Sequence, residues 1–292
     1  MKTKDWLIIA GVIFAWGINF LFIKTALADV SPMVLGALRF ALLLVPAIFF
    51  IKLPKCDWRW LALYGLAISF GQFSLMFLAI WQGMPTGLAA LLHQSQMFFT
   101  VVLTSVCFGE RMRAWHIVGM MMAMASLGLI GVGQYQGVLP MMGVWLMLAA
   151  GLSWAVGNLI VKKLDNIPPL SLVIWGNVST LMAFIVVSLI LYGIDGVADQ
   201  IGNLSGQGWL SVLYLVYVAG LLGYSGWGYL LARHPASQIT PFALLIPVIA
   251  LFVGFGILGE KLNAWHQLGA ITLMLALVVQ VFGGHLFNKN KL

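Results

Sequence analysis

The sequence predicts an all-α integral membrane protein with ten transmembrane helices, arranged as two inverted five-helix repeats. Three observations carry that prediction. Hydrophobic residues make up 62% of the 292 positions and charged residues 8%, against roughly a quarter charged in an average soluble domain. Apolar stretches of about twenty residues recur from end to end, each long enough to cross a hydrocarbon core roughly 30 Å thick. The chain also contains one segment twice. Gly109-Glu110-Arg111-Met112-Arg113-Ala114-Trp115-His116 returns 150 residues later as Gly259-Glu260-Lys261-Leu262-Asn263-Ala264-Trp265-His266, and Gly119 and Gly269 follow at the same interval. Internal repeats between membrane helices mark transporters whose two halves rock about a central site.

The spans are expected at 6–25, 32–51, 60–81, 86–107, 114–132, 140–161, 170–191, 209–231, 240–258 and 265–284. The first runs from Lys2 and Lys4 to Lys24. Read as a cleavable leader it would be too long, and its removal would delete Trp16, which pairs with Trp154 at a second repeat spacing of 138, as Lys24 pairs with Lys162. The second opens at Pro32. The repeated Gly-Glu segments close the fourth and the ninth, and Pro241 and Pro247 are expected to kink the ninth and free backbone carbonyls. Trp58, Trp60, Trp81, Trp115, Trp145, Trp209 and Trp265 fall mostly at span ends, as interfacial anchors do. Small residues four apart, Gly11/Ala15, Ala149/Ser153/Gly157 and Gly119/Ala123, permit close helix approach. Tyr192–Gly208, rich in Gly, Asp and Asn, is expected to be a passive external loop.

Five spans per half is an odd number, so the second copy must enter the membrane upside down. The halves are placed at 1–135 and 136–292, with the boundary in the short polar turn near Gln134–Pro140. Charge placement agrees. Lys2, Lys4, Lys52, Lys55, Arg59, Arg111, Arg113, Lys162, Lys163, Arg233, Lys289 and Lys291 fall on one side. Lys24 and Lys261 fall on the other, with Asp29, Asp195, Asp199 and Glu260. Basic residues stay in the cytoplasm during insertion, which puts both termini there. The net charge of +7 is thus a topology signal, and nucleic acid is not an expected partner. Cys56 and Cys107 sit at cytoplasmic span ends, where no structural disulfide is expected.

In hydrocarbon a polar side chain is costly, so each one calls for a reason. No Asp or Glu falls in the middle of an expected span. A proton exchanger built on a buried carboxylate therefore has no candidate here. Any coupling proton must sit on a histidine, on the substrate or nearer the rim. Arg39 is the only full charge inside a span, seven residues after Pro32 and so roughly 10 Å in from the end. Two readings stay open for it. The guanidinium can lean toward the helix start and reach headgroups, or it can serve as a donor fork for a substrate carboxylate.

His93-Gln94-Ser95-Gln96 is the most polar stretch of any span, with His93, Gln96 and Thr100 on one helical face. The matching positions in the other half are Ala243, Leu244, Leu245 and Ile246, so this polarity belongs to one copy only and favours a site. The structural alternative is that Gln94 and Gln96 bridge neighbouring helices, at about 1 kcal/mol each. His93 carries a side chain that ordinarily titrates near neutral pH, although an unpaired buried imidazole normally stays neutral. Trp16 with Asn19, Ser69 with Gln72 and Trp154 with Asn158 form helical pairs, and Tyr217 and Tyr224 share a face beside Trp227. Amides serve either charged group and aromatic faces attract ammonium, so the ensemble suits a small zwitterion. The expected substrate-binding set is Trp16, Asn19, Arg39, Gln72, His93, Gln96, Trp154, Asn158, Tyr224 and Trp227.

With these residues in view, the chain resembles the EamA-type transporters of the drug/metabolite transporter superfamily over nearly its whole length. Phe14-Ala15-Trp16-Gly17-Ile18-Asn19-Phe20 and the two Gly-Glu segments carry the likeness. Within that family it is most similar to the O-acetylserine/cysteine exporters, through Ile68–Phe73, Gly83–Ala89, Gln94–Thr100 and Ser171–Trp175. The resemblance implies ten helices around a central cavity, exporting small amino acids or cysteine-pathway metabolites across the bacterial inner membrane by alternating access. The implied partners are a small-molecule substrate and the lipid bilayer, with protons as the candidate coupling ion; no cofactor or metal is implied. His93 stands where an aliphatic residue is expected, which marks a point of divergence in substrate preference or coupling. A broad exporter of lipophilic cations is the alternative, opposed by the missing carboxylate and the single Arg. A membrane enzyme would need a metal or nucleophile cluster, and the sequence has no His-Glu-x-x-His or paired membrane Asp. A receptor or scaffold would leave an inverted repeat without purpose.

Overall fold

The computed structural model describes residues 2–109, 112–134, 140–164, 167–231, 233–234 and 236–287. Among them every regular element is helical. Helix α1 (Thr3–Ala26) turns directly into α2 (Pro32–Ala47), where Pro32 occupies a first-turn position that has no donor to lose. Helix α3 (Trp58–Trp81) starts on Asp57, whose Oδ1 accepts from Arg59 N at 2.9 Å. Helix α4 (Thr86–Phe108) breaks at Gln94 and resumes at Ser95. Helices α5 (Ala114–Gln134), α6 (Met141–Lys163), α7 (Pro169–Gly202) and α8 (Gly206–Leu231) follow. A 3-10 turn over Thr240–Leu244 then leads into α9 (Leu245–Gly256), and α10 (Ala264–Phe287) closes the described chain. Gly109 and Gly259, equivalent in the repeated segment, both take left-handed φ (68° and 63°) just past the ends of α4 and α9, a conformation that costs glycine nothing.

Seven of these helices are long and apolar enough to cross a membrane: Thr3–Ala26, Trp58–Trp81, Thr86–Phe108, Met141–Lys163, Leu170–Gly202, Gly206–Leu231 and Ala264–Gly284. Shorter apolar helices cover Pro32–Val45, Ala114–Ile130 and Phe242–Gly256. The chain is an all-helical, multi-pass membrane protein.

Two helices carry π-wound turns, Leu66–Gly71 in α3 and Tyr214–Leu222 in α8. Such turns disturb the usual pairing of the helix carbonyls. In a membrane these groups need partners from neighbouring helices, and hydroxyls supply them. Ser153 Oγ of α6 donates to Ala67 O at 2.7 Å, and from α7 Thr180 Oγ1 donates to Gly65 O at 2.8 Å and Ser179 Oγ to Ala62 O at 3.1 Å. Glycines bring the same helices together: Gly65 meets the Gly176 backbone, Gly157 meets Ile68 and Gly71 meets Ser153. Helices α5 and α10 pack likewise, with Ser126 Oγ donating to Gly269 O at 2.7 Å and Gly283 against Trp115. Phe77, Leu88, Leu91, Leu92, Met147 and Phe184 are fully buried at the centre.

Four expectations need correction. Tyr192–Gly208 is largely helix, because α7 continues to Gly202 across a break at Gly193 (φ 67°). Its far segment is pinned to the α1–α2 turn: Gln200 Oε1 accepts from Ser31 N at 2.9 Å, and just beyond it Ser205 Oγ donates to Asp29 Oδ2 at 2.6 Å. Its glycines and acids decorate a short extra helix. Helix α2 ends at Ala47, short of residue 51. Gly11 has nothing near it, and Gly17 makes the close approach of α1, against Ile249. The irregularity expected within the ninth span falls ahead of α9 as the 3-10 turn, which leaves Pro247 in the first turn of α9, where its missing donor costs nothing. Glu110, Arg111, the boundary at 135–136, Lys289 and Lys291 lie outside the described residues.

Candidate functional site

The helices enclose a cavity of about 270 Å³, near the lower limit of small-molecule pockets and suited to a metabolite more than to a drug-sized ligand. Helix α1 contributes Trp16 and Asn19. Trp16 Nε1 donates to Ala219 O at 2.9 Å, within the π-wound turn of α8. That bond orients the indole, and the Tyr224 and Trp227 rings each lie 5.4 Å from it, forming an aromatic wall.

Arg39 comes from α2 and is only 5% exposed. Its guanidinium sits 4.2 Å from the centre of the Phe73 ring, close enough for a cation–π contact. Among the described residues Nη1 has no hydrogen-bond partner. The guanidinium is thus enclosed by protein, on a residue that lines the cavity. Arg39 is the only Lys, Arg, Asp or Glu among the described lining residues.

Gln72, the first residue after the π-wound turn of α3, places Nε2 2.8 Å from His93 Nε2. The Trp154 ring of α6 stands edge-on to the imidazole, with centroids 6.1 Å apart. The break in α4 separates His93 from Gln96. At the break itself, Gln94 Nε2 donates to Ala243 O at 3.5 Å, and Gln96 Nε2 donates to Gln94 Oε1 at 3.3 Å.

Nine of the ten expected residues line this cavity: Trp16, Asn19, Arg39, Gln72, His93, Gln96, Trp154, Tyr224 and Trp227. Asn158 does not. It lies a turn further along α6, where its Nδ2 donates to Thr100 Oγ1 at 3.2 Å; both side chains serve the α4–α6 contact. Ser69 is buried off the wall. Tyr217, expected to share a face with Tyr224, is 40% exposed on a separate apolar groove beside α2. The π-wound turn between the two tyrosines shifts the helical phase, so spacing by sevens no longer keeps one face. Phe73 and Gln94 also line the cavity, and each adjoins or belongs to a polar cluster singled out in the sequence.

Beyond the cavity, Glu260 of the second repeated segment forms a cluster. Its Oε1 lies 2.8 Å from Lys24 Nζ and accepts from Thr86 N at 2.9 Å, and its Oε2 accepts from Thr86 Oγ1 at 3.1 Å. The carboxylate thus joins the end of α1, the first turn of α4 and the α9–α10 connection. No cluster of three or more metal-ligating side chains occurs among the described residues.

A bundle of apolar helices around a small pocket with a few polar groups on its wall is the plan of a membrane solute transporter. The chain belongs to the EamA-like transporter family, whose model matches it twice, over residues 4–132 and 141–282. It is 39% identical over 288 residues to a "probable amino-acid metabolite efflux pump" of Salmonella typhimurium, covering 97% of this chain and 96% of that protein. A protein of the same name from Escherichia coli strain K12 matches with the same identity and coverage. The "uncharacterized inner membrane transporter YedA" of that strain is 24% identical, over 98% of this chain and 95% of its own. A crystal structure aligns with a TM-score of 0.64 over 99% of this chain and 100% of its own at 19% identity, a likeness of fold alone.

Proposed function

We propose that this protein is a secondary transporter of the bacterial inner membrane, exporting small amino acids or cysteine-pathway metabolites, cysteine and O-acetylserine among them, by alternating access. The observation that carries this reading is Arg39: a buried guanidinium with a free Nη1 on the wall of a metabolite-sized cavity that has no acidic lining residue among those described. A fixed cation without a protein counter-ion is a receptor for a substrate carboxylate. The two relatives at 39% identity bear the name of amino-acid metabolite efflux pumps, and a third bears that of an inner membrane transporter.

The proposed frame is ten spans in two inverted five-helix repeats, 1–135 and 136–292, with both termini cytoplasmic. Four paired features support it. The family model matches twice. Left-handed glycines recur at 109 and 259. The π-wound turns fall in the third helix of each half. The break at Gln94 and the 3-10 turn ending at Leu244 stand 150 residues apart. The Lys24–Glu260–Thr86 cluster then closes the periplasmic end, and the site is loaded from the cytoplasm. Protons are the proposed coupling ion, and His93 is the imidazole among the described lining residues.

The test is reconstitution into liposomes and counterflow of labelled cysteine and O-acetylserine, with and without a pH gradient. Saturable counterflow is the expected result, and no flux of either solute rejects the reading. Export of lipophilic cations lacks support, since the lining offers them Arg39 and no carboxylate. Resistance to cationic dyes without resistance to amino-acid analogues would reinstate it.

A further inference from the structure

Four polar atoms of residues that line the cavity are buried without a partner among the described residues: Arg39 Nη1, Asn19 Oδ1, Gln72 Oε1 and Gln96 Oε1. The first is a donor and the other three are acceptors. An unmet buried acceptor is costly, so the occupant of this cavity must bring hydrogen-bond donors as well as a negative charge for Arg39. A carboxylate alone answers only one of the four.

The direction of the Gln96 oxygen is dictated by the backbone. Ala243 O is a carbonyl and only accepts. Gln94 must therefore present its amide nitrogen there, at 3.5 Å, which leaves Gln94 Oε1 to accept from Gln96 Nε2 at 3.3 Å. Gln96 Oε1 is what remains. Turning either amide over would set like against like at one of the two contacts. Gln72 is not constrained in this way, because its partner is His93 Nε2, and an imidazole nitrogen can donate or accept. The relay also spans the two irregular points of the fold, since Gln94 is the break in α4 and Ala243 belongs to the 3-10 turn before α9.

Building on the exporter reading, we propose that Gln96 Oε1 receives the substrate's ammonium group while Arg39 takes its carboxylate, and that Gln94 is the positioning residue that keeps the Gln96 oxygen turned toward the ligand. Asn19 Oδ1 is the second acceptor, on the α1 wall that also carries Trp16, whose ring face favours a cation. The cavity thereby selects zwitterions over carboxylates that lack an amine. A simple monocarboxylate balances Arg39 but leaves the amide oxygens bare. A simple amine meets the oxygens but leaves Arg39 buried and unpaired.

The test compares two competitors in counterflow of labelled cysteine: unlabelled cysteine, and 3-mercaptopropanoate, which differs only by lacking the ammonium. O-acetylserine with 3-acetoxypropanoate is the parallel pair. With the natural chain the deaminated compound is expected to compete roughly tenfold to a hundredfold more weakly, as one or two charge-assisted hydrogen bonds would give. Gln96→Leu is expected to bring the two competitors within about threefold of each other, and Gln94→Leu to fall between. The ratio does not depend on how much protein inserts. For a variant without flux, quenching of the cavity tryptophans by each compound reads the same ratio. Gln96→Leu with the natural ratio overturns the ammonium assignment, and Gln94→Leu with the natural ratio overturns the positioning role. Absence of counterflow by the natural chain with both labelled solutes is a separate outcome, which rejects the exporter reading and this proposal with it.

Discussion

Lys24 Nζ and Glu260 Oε1 lie 2.8 Å apart across a sequence separation of 236 residues. The pair is unequal. The Lys24 side chain is 38% exposed and that of Glu260 only 9%, and Glu260 also accepts from Thr86 N, Thr86 Oγ1 and Gly87 N. An anion at the first turn of α4 meets donors that the helix itself cannot satisfy. Glu260→Ala is therefore expected to cost about 2–4 kcal/mol, since it strands several donors. Lys24→Ala should cost under about 1 kcal/mol, as solvent-screened pairs do. Thermal unfolding of the two variants in detergent checks this, and equal losses would mean the ion pair outweighs the helix cap.

Arg39→Ala is expected to abolish amino-acid counterflow while membrane insertion and helix content stay unchanged. Arg39→Lys should recover only part of it, because an ammonium lacks the planar fork and packs less well on Phe73. Flux measured per inserted molecule decides the matter. Normal flux in Arg39→Ala would remove the guanidinium from substrate handling.

His93→Leu removes the titratable lining group and deprives Gln72 of the partner at 2.8 Å. Transport is expected to change its pH dependence, because the imidazole among the described lining residues is gone. A pH–rate profile in liposomes buffered identically on both sides makes the comparison. An unaltered profile places the coupling proton elsewhere.

Asn158→Ala should leave transport within about twofold of normal and cost about 0.6 kcal/mol of stability, typical of a polar contact between membrane helices. Its Nδ2 donates to Thr100 Oγ1, away from the cavity wall. A large transport defect at unchanged stability would draw this contact into the substrate path.

Much of this site was legible because hydrocarbon makes polarity conspicuous. Arg39, His93 and Gln96 stand out in apolar runs, and repeat spacing ties Trp16 to Trp154. What stayed hidden has two physical sources. Helical phase cannot be read through a π-wound turn, which is why Tyr217 and Tyr224 separate. Contacts between distant segments also leave no local pattern. The charges of Lys24 and Glu260 were assigned to one membrane face, yet nothing in either segment announced their pairing or the capping of α4. The short helix after Gly193 is hidden for a third reason: its glycines and acids match loop composition, while its docking against the α1–α2 turn is a distant contact.

The winding of Leu66–Gly71 sets where everything after it points. Were the same six residues wound as ordinary α-helix, Gln72 and Phe73 would swing by about 100° around the helix axis. Hydrophobicity, length and insertion would be untouched, yet the amide that meets His93 and the ring beneath Arg39 would face the lipid. A substitution that abolished the π winding would thus change which groups the cavity wall presents while leaving the scaffold in place.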